Sequence, residues 1–191
     1  MRFSAVILAG GRSSRMGHDK ALLDFNGQPL LARQIALARS LGPVEVLLSG
    51  GTGAPYASFG CPVLTDEFAS AGPLAGIAAG LTSAAAPLVL VLAVDMPGMT
   101  AATLRQLLER CASGAGVVPR VNRRLEPLAA FYPKAAAPLA VDLLRSGLRT
   151  VRAFVEECQA RGFVAVQDAA EADWNCFANW NSPADLPPPG L

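Results

Sequence analysis

The sequence predicts an α/β domain built on a mainly parallel, mixed sheet. Two features lead there: short, almost wholly apolar runs at 3–9, 44–48 and 87–94, and helical stretches between them that are either amphipathic or rich in small residues. Glycine or proline marks nearly every junction.

The elements follow in order. Phe3 to Ala9 reads as a buried strand closed by Gly10 and Gly11. Gly27-Gln28-Pro29 is expected to open a helix through Leu41, with Pro29 in its first turn and Gly42-Pro43 as the stop. Val44 to Leu48 and Pro62 to Thr65 are the next strands, the latter ending at Asp66. Gly72-Pro73 begins a helix of small residues, LAGIAAGLTSAAA, whose backbone can approach a neighbour or a ligand closely. Pro87 to Val94 is the strongest strand; its unbroken hydrophobicity predicts a central position covered on both faces, and it ends at Asp95.

Thr100 is suited to cap the following helix, where Leu104, Leu107, Leu108 and Cys111 fall on one stripe. GAGVVPRV and PLAAFYP read as strands joined across Asn122-Arg123-Arg124. Helices are expected over 135–144 and around Val151, Phe154, Val155 and Cys158, then a last strand from Phe163 to Val166 and a proline-rich tail. In such sheets ligands gather beyond the carboxyl ends of the strands, where the 10–20 loop, Asp66 and Asp95 all fall.

The totals exclude several classes. At 191 residues the chain fits one domain, and 52% hydrophobic against 16% charged residues argues for a compact core. A net charge of +1, with no run of one sign, gives no basic stripe for nucleic acid or a membrane surface. Cys61, Cys111, Cys158 and Cys176 are widely spaced and accompanied by a single histidine, so neither a zinc site nor a disulfide framework is expected. The opening MRFSAVILAGG is short for a signal peptide, and Arg12 and Arg15 stand where a small-residue cleavage site belongs; a cytoplasmic location is expected.

The stretch ILAGGRSSRMGHDKAL, Ile7 to Leu22, carries the chemistry. It matches neither GxGxxG nor GxxxxGK[ST]. Its glycines can nonetheless bare successive backbone N–H groups, and Arg12, Arg15 and Lys20 add positive charge for an anion. A solvated basic turn fits the same residues. His18 lies in this polar loop and is given no catalytic role.

LAGGRSSRMGHDK followed by GQPLL resembles the nucleotide-binding start of the molybdenum cofactor guanylyltransferases, the MobA-type enzymes. TDEFASAGPLAGI at 65–77, LAVDMPGM at 92–99, EPLAAFY at 126–132 and FANWNSPADL at 177–186 are similar to that family's later motifs, in the same order. The resemblance spans about the whole chain. It implies a single Rossmann-like three-layer domain of the nucleotide-diphospho-sugar transferase type. About 1–100 would bind nucleotide and about 101–186 molybdopterin, leaving 187–191 as a tail.

The activity so implied is attack by the terminal phosphate of molybdopterin on the α-phosphorus of GTP, with Mg²⁺ as cofactor and pyrophosphate leaving. An anionic phosphate is already a nucleophile, so alignment and charge neutralisation suffice. By the same resemblance Lys20 contacts the GTP phosphates, Arg15 assists, and Leu8, Ala9, Gly10 and Gly11 meet the nucleotide through backbone. Asp95 is the implied Mg²⁺ ligand; read alone, it fits a loop cap equally well.

Asp66 or carbonyls near Gly72 are candidate acceptors for guanine, and Asp66 fits a ribose contact or a turn as well. Ser49 departs from the asparagine often found there, which puts its nucleotide contact in question. Arg149, Asn179 and Asn181 are implied to hold the pterin. Molybdenum-insertion proteins or molybdoenzyme chaperones are conceivable deliverers of it. Three rivals remain at this level: a cytidylyltransferase for the same cofactor, a sugar- or alcohol-phosphate nucleotidyltransferase, and a non-catalytic nucleotide- or cofactor-binding homologue.

Overall fold

The computed structural model of the chain describes residues 1–10, 19–50, 55–65, 67–68 and 71–180. Strand β1 (Phe3–Leu8) leads to a short 3₁₀ turn at Lys20–Leu22 and a small hairpin of β2 (Asp24–Phe25) and β3 (Gln28–Pro29). Helix α1 (Leu30–Arg39), strands β4 (Val46–Ser49) and β5 (Val63–Leu64), helix α2 (Pro73–Ser83) and strand β6 (Leu88–Ala93) follow. Then come α3 (Ala101–Glu109), β7 (Gly116–Val121), β8 (Arg124–Leu125), β9 (Ala129–Pro133), α4 (Ala137–Arg145), α5 (Val151–Ala160) and β10 (Val164–Asp168). A second 3₁₀ segment, Glu171–Phe177, ends the regular structure.

The main sheet has the order β10-β7-β9-β6-β1-β4-β5, with β8 added to β7. β1 pairs in parallel with β4 and β6, β4 with β5, and β7 with β10. β9 runs against both β6 and β7 and is the reversed member of this path. The expected mixed but mainly parallel sheet is therefore present.

Its two faces explain the unbroken apolar runs. Along β6, Leu88, Leu90 and Leu92 enter one core cluster, while Val89 and Val91 enter the other. On β1 the same split sends Phe3, Ala5 and Ile7 one way and Val6 and Leu8 the other. Residues alternate between faces along a strand, so covering both faces calls for apolar side chains at nearly every position; Ser4, the buried polar residue of β1, donates to Glu45. Helices α1 and α3 pack on the first face, and α2, α4 and α5 on the second. The layers are thus helix, sheet and helix.

Three sequence expectations are corrected. Gly27-Gln28-Pro29 does not begin a helix. Asn26 and Gly27 have φ of 52° and 82° and turn β2 into β3, so α1 starts only at Leu30. This is the left-handed two-residue turn that Asn-Gly favours. Asn122 and Arg123 likewise have positive φ, but the chain after them returns as β8 on β7 before reaching β9. The stripe assigned to α3 also overruns, because Cys111 lies beyond the helix. Thr100 does cap it, accepting from the Thr103 N–H at 3.1 Å. No helix among the described residues is long and apolar enough to cross a membrane.

Candidate functional site

The carboxyl ends of β4, β1 and β6 are tied at one level. Leu8 lies opposite Ser49 on one side and Ala93 on the other. Beyond the strands, the Ala9 and Gly10 N–H groups both donate to the Ser49 carbonyl, at 2.8 and 3.0 Å, and Val94 N–H donates to the Leu8 carbonyl. The Gly10 amide is therefore engaged within the sheet, whereas the sequence had suggested a bared phosphate donor. A Cβ on Gly10 would stand 3.0 Å from the Gly50 carbonyl carbon, so the close approach of these two strand ends favours glycine there.

Lys20 and Asp95 meet above this level. The Lys20 Nζ lies 3.8 Å from Asp95 Oδ2 and donates to the Trp180 carbonyl at 3.2 Å. The two side chains are 22% and 25% exposed, so both retain access to solvent and to a ligand. Burial raises the Asp95 carboxyl above the usual aspartate range, and the nearby Lys20 charge offsets part of that rise. The carboxylate is partly stripped of water and responsive to added positive charge.

The loop carrying Asp95 is held from α1. Gln34 Nε2 donates to the Met96 carbonyl at 2.7 Å, and Arg33 Nε donates to the Pro97 carbonyl at 3.0 Å. Trp180 N–H donates to the Asp95 carbonyl at 2.8 Å. Its ring meets Phe25 edge-on, with centroids 4.8 Å apart, and the Arg33 guanidinium lies over the other ring at 5.2 Å. The Trp180 backbone is thereby fastened to both Lys20 and Asp95, and exposed Asn179 directly precedes it.

Other predicted site residues are placed differently. Ser49 is buried, and its hydroxyl abuts Gly76 of α2. Leu8 packs into the α2-side core. Gly72 adopts φ 76° and ψ −165°, a region open essentially to glycine alone, and its carbonyl already receives Ala75 N–H at 3.1 Å. Arg149 stands exposed ahead of Thr150, the cap of α5. Gly11, Arg12, Arg15, His18, Asp66 and Asn181 lie outside the described residues.

Residues 5–171 match the family described as the MobA-like NTP transferase domain. The chain belongs to that family. It is 38% identical to a probable molybdenum cofactor guanylyltransferase of Opitutus terrae, covering 95% of this chain and 92% of that one. It is 37% identical to the molybdenum cofactor guanylyltransferase of Cereibacter sphaeroides, over 97% and 94% of the two chains. The crystal structure of the molybdopterin-guanine dinucleotide biosynthesis protein A of Archaeoglobus fulgidus superposes with a TM-score of 0.76 at 22% identity, covering 96% and 94%.

Family membership implies a divalent cation, and the donor set of this MobA-like chain can be tested for it. Among the described residues no group of three or more His, Cys, Asp or Glu side chains converges. Asp95 is a half-buried single carboxylate at a strand end. That suits an ion completing its shell with phosphate oxygens and water, as Mg²⁺ does, and not an ion caged by protein alone. The residues fit.

Besides Phe25, Arg33 and Gln34, Trp180 and Tyr56 of this MobA-like site were not singled out in the sequence. Trp180 carried no spacing signal; only its place between the two asparagines hinted at it. Tyr56 sits after β4 in a stretch of ordinary turn composition, yet it is 2% exposed and its hydroxyl reaches both Ala9 and Asp19. A large aromatic in a stretch of glycine, alanine and proline was the available clue.

Proposed function

We propose that this protein transfers GMP from GTP to the terminal phosphate of the molybdopterin cofactor. The pterin phosphate oxygen forms a bond to the α-phosphorus, the bond from that phosphorus to the β-phosphate bridge breaks, and pyrophosphate leaves. The observation that carries the reading is the meeting of Lys20 and Asp95 at 3.8 Å over the ends of β1 and β6, in a chain of this family. The guanylyltransferase names of relatives aligned over almost the whole chain support the choice of nucleotide and acceptor.

Lys20 is assigned to the β- and γ-phosphates, where an ammonium offsets charge growing on the departing pyrophosphate. Asp95 is assigned to Mg²⁺, which when bound would neutralise phosphate oxygens. Leu8, Ala9, Gly10 and Gly11 would line the nucleotide, Arg15 would assist the phosphates, and Asp66 and Gly72 would face guanine. Asn179, directly before Trp180, would orient the pterin phosphate with Asn181, and Arg149 would contribute from the α5 side. Residues of about 1–100 thus serve the nucleotide and about 101–186 the pterin, in the cytoplasm.

Thermal unfolding with GTP or CTP, each with and without Mg²⁺, tests the reading. Ligand at 100 times its dissociation constant adds about 2.7 kcal/mol, which is about 5–10 °C for a chain of this size. GTP should stabilise more than CTP, and Mg²⁺ should strengthen the effect in wild type but not in Asp95→Asn. Asp95→Asn should also lose nearly all pyrophosphate release while remaining folded. A CTP preference, or an active Asp95→Asn, refutes it.

A further inference from the structure

We propose that the Tyr56 hydroxyl is a positioning group for Lys20, acting by holding Ala9 and Asp19 at a fixed separation. The phenol oxygen lies 3.1 Å from the Ala9 carbonyl and 2.8 Å from Asp19 Oδ2. Its one proton serves two acceptors, with the closer, charged carboxylate the stronger. These acceptors flank residues 10–18, so a side chain from the β4–β5 connection joins the end of β1 to the residue just before Lys20.

Asp19 passes this restraint on. Its second oxygen, Oδ1, accepts the Ala21 N–H at 3.0 Å, and its carbonyl accepts the Leu22 N–H at 3.0 Å. The Lys20–Leu22 turn is therefore built on Asp19, and Lys20 is its first residue. A lysine ammonium rides on a flexible four-carbon stem, so where its backbone is anchored decides what it can reach. Here the reach ends 3.8 Å from Asp95. Packing alone explains the Tyr56 ring, but phenylalanine would serve that purpose. The buried hydroxyl finds its partners only on these two residues among the hydrogen bonds described.

The proposal rests on the reading of Lys20 given above, and the test separates the two. GTP consumption with molybdopterin is measured for wild type, Tyr56→Phe, Asp19→Ala, Lys20→Ala and the Tyr56→Phe/Lys20→Ala double variant, with a urea unfolding curve for each. Tyr56→Phe should lower kcat by about ten- to a hundredfold, the scale of a small misplacement of a charge-stabilising group, while remaining folded. Asp19→Ala removes both the acceptor of the Tyr56 hydroxyl and the Ala21 cap, and should show a loss at least as large. In the Lys20→Ala background Tyr56→Phe should cost less than twofold; a merely structural defect would persist there.

Unchanged kcat in Tyr56→Phe, beside a crippled Lys20→Ala, overturns this proposal alone. An equal fold-loss in both backgrounds does the same, and so does full activity of Asp19→Ala should Tyr56→Phe fail to fold. A fully active Lys20→Ala overturns the role of Lys20 and this proposal with it.

Discussion

Gly80→Ala sets helix propensity against packing. Gly80 faces β1 from α2, and a Cβ there would stand 2.6 and 2.8 Å from the two Val6 γ-carbons. Val6 is fully buried and β-branched, so it cannot turn away without another clash. Overpacking of a tight core costs about 1–3 kcal/mol, and this geometry belongs in the upper half of that range. Alanine in place of glycine returns about 0.8–1 kcal/mol of helix propensity.

The net expectation is a loss of about 1–2 kcal/mol, or about 2–8 °C in the unfolding midpoint for a chain of this length. Urea and thermal unfolding of wild type, Gly80→Ala, Val6→Ala and the double variant measure it. With Val6 cut back to alanine both γ-carbons are gone and only the Cβ, 3.1 Å away, stays close, so Gly80→Ala should then cost much less. Stabilisation in the wild-type background, or an undiminished penalty in Val6→Ala, refutes the reasoning.

Two further outcomes follow from side chains away from the site. Burial raises the Glu126 carboxyl above its usual range, with Arg124 offsetting part of the rise. A raised folded-state value means that its stabilising contribution is complete below the unfolded-state value and is lost as pH rises through the folded one. Glu126→Gln should therefore unfold no earlier than wild type near pH 7, with the difference shrinking toward pH 4 in urea titrations; a variant weaker at pH 7 contradicts this. Burial also pushes the Cys111 and Cys158 thiols to about 11 and about 12, while Cys176 is partly exposed. Ellman's reagent at pH 8 should label Cys176 in the native protein and reach Cys111 and Cys158 only after unfolding, as mapped by mass spectrometry.

The main strands and helices could be read from the sequence because their hydrophobic runs serve two covered faces. Phe3 to Ala9 and Pro87 to Val94 have no alternative use for so many consecutive apolar residues. The β2–β3 hairpin escaped because Pro29, a good helix starter, outweighed the Asn26-Gly27 turn signal beside it. β8 escaped because two residues are too few to form a pattern. At the site, Lys20 and Asp95 stood out by residue type and by their places in recognisable motifs. What spacing could not show was how they are held: Gln34, Trp180 and Tyr56 act through hydrogen bonds across sequence separations of 62, 85 and 37 residues. The small residues of α2 had two readings, ligand or neighbour, and Gly76 and Gly80 meet β1 and β4 side chains.

The Trp180 fastening has a consequence for how the molecule is made. Lys20 is bound to a carbonyl 160 positions later in the chain. Closing so long a span is entropically expensive until β1 and β6 have paired and shortened it. The strands up to β6 can therefore pair during synthesis, while the ammonium and the carboxylate gain their shared brace only once Trp180 has emerged. A chain synthesised only as far as Asp95 would thus carry both charges without the brace that Trp180 provides.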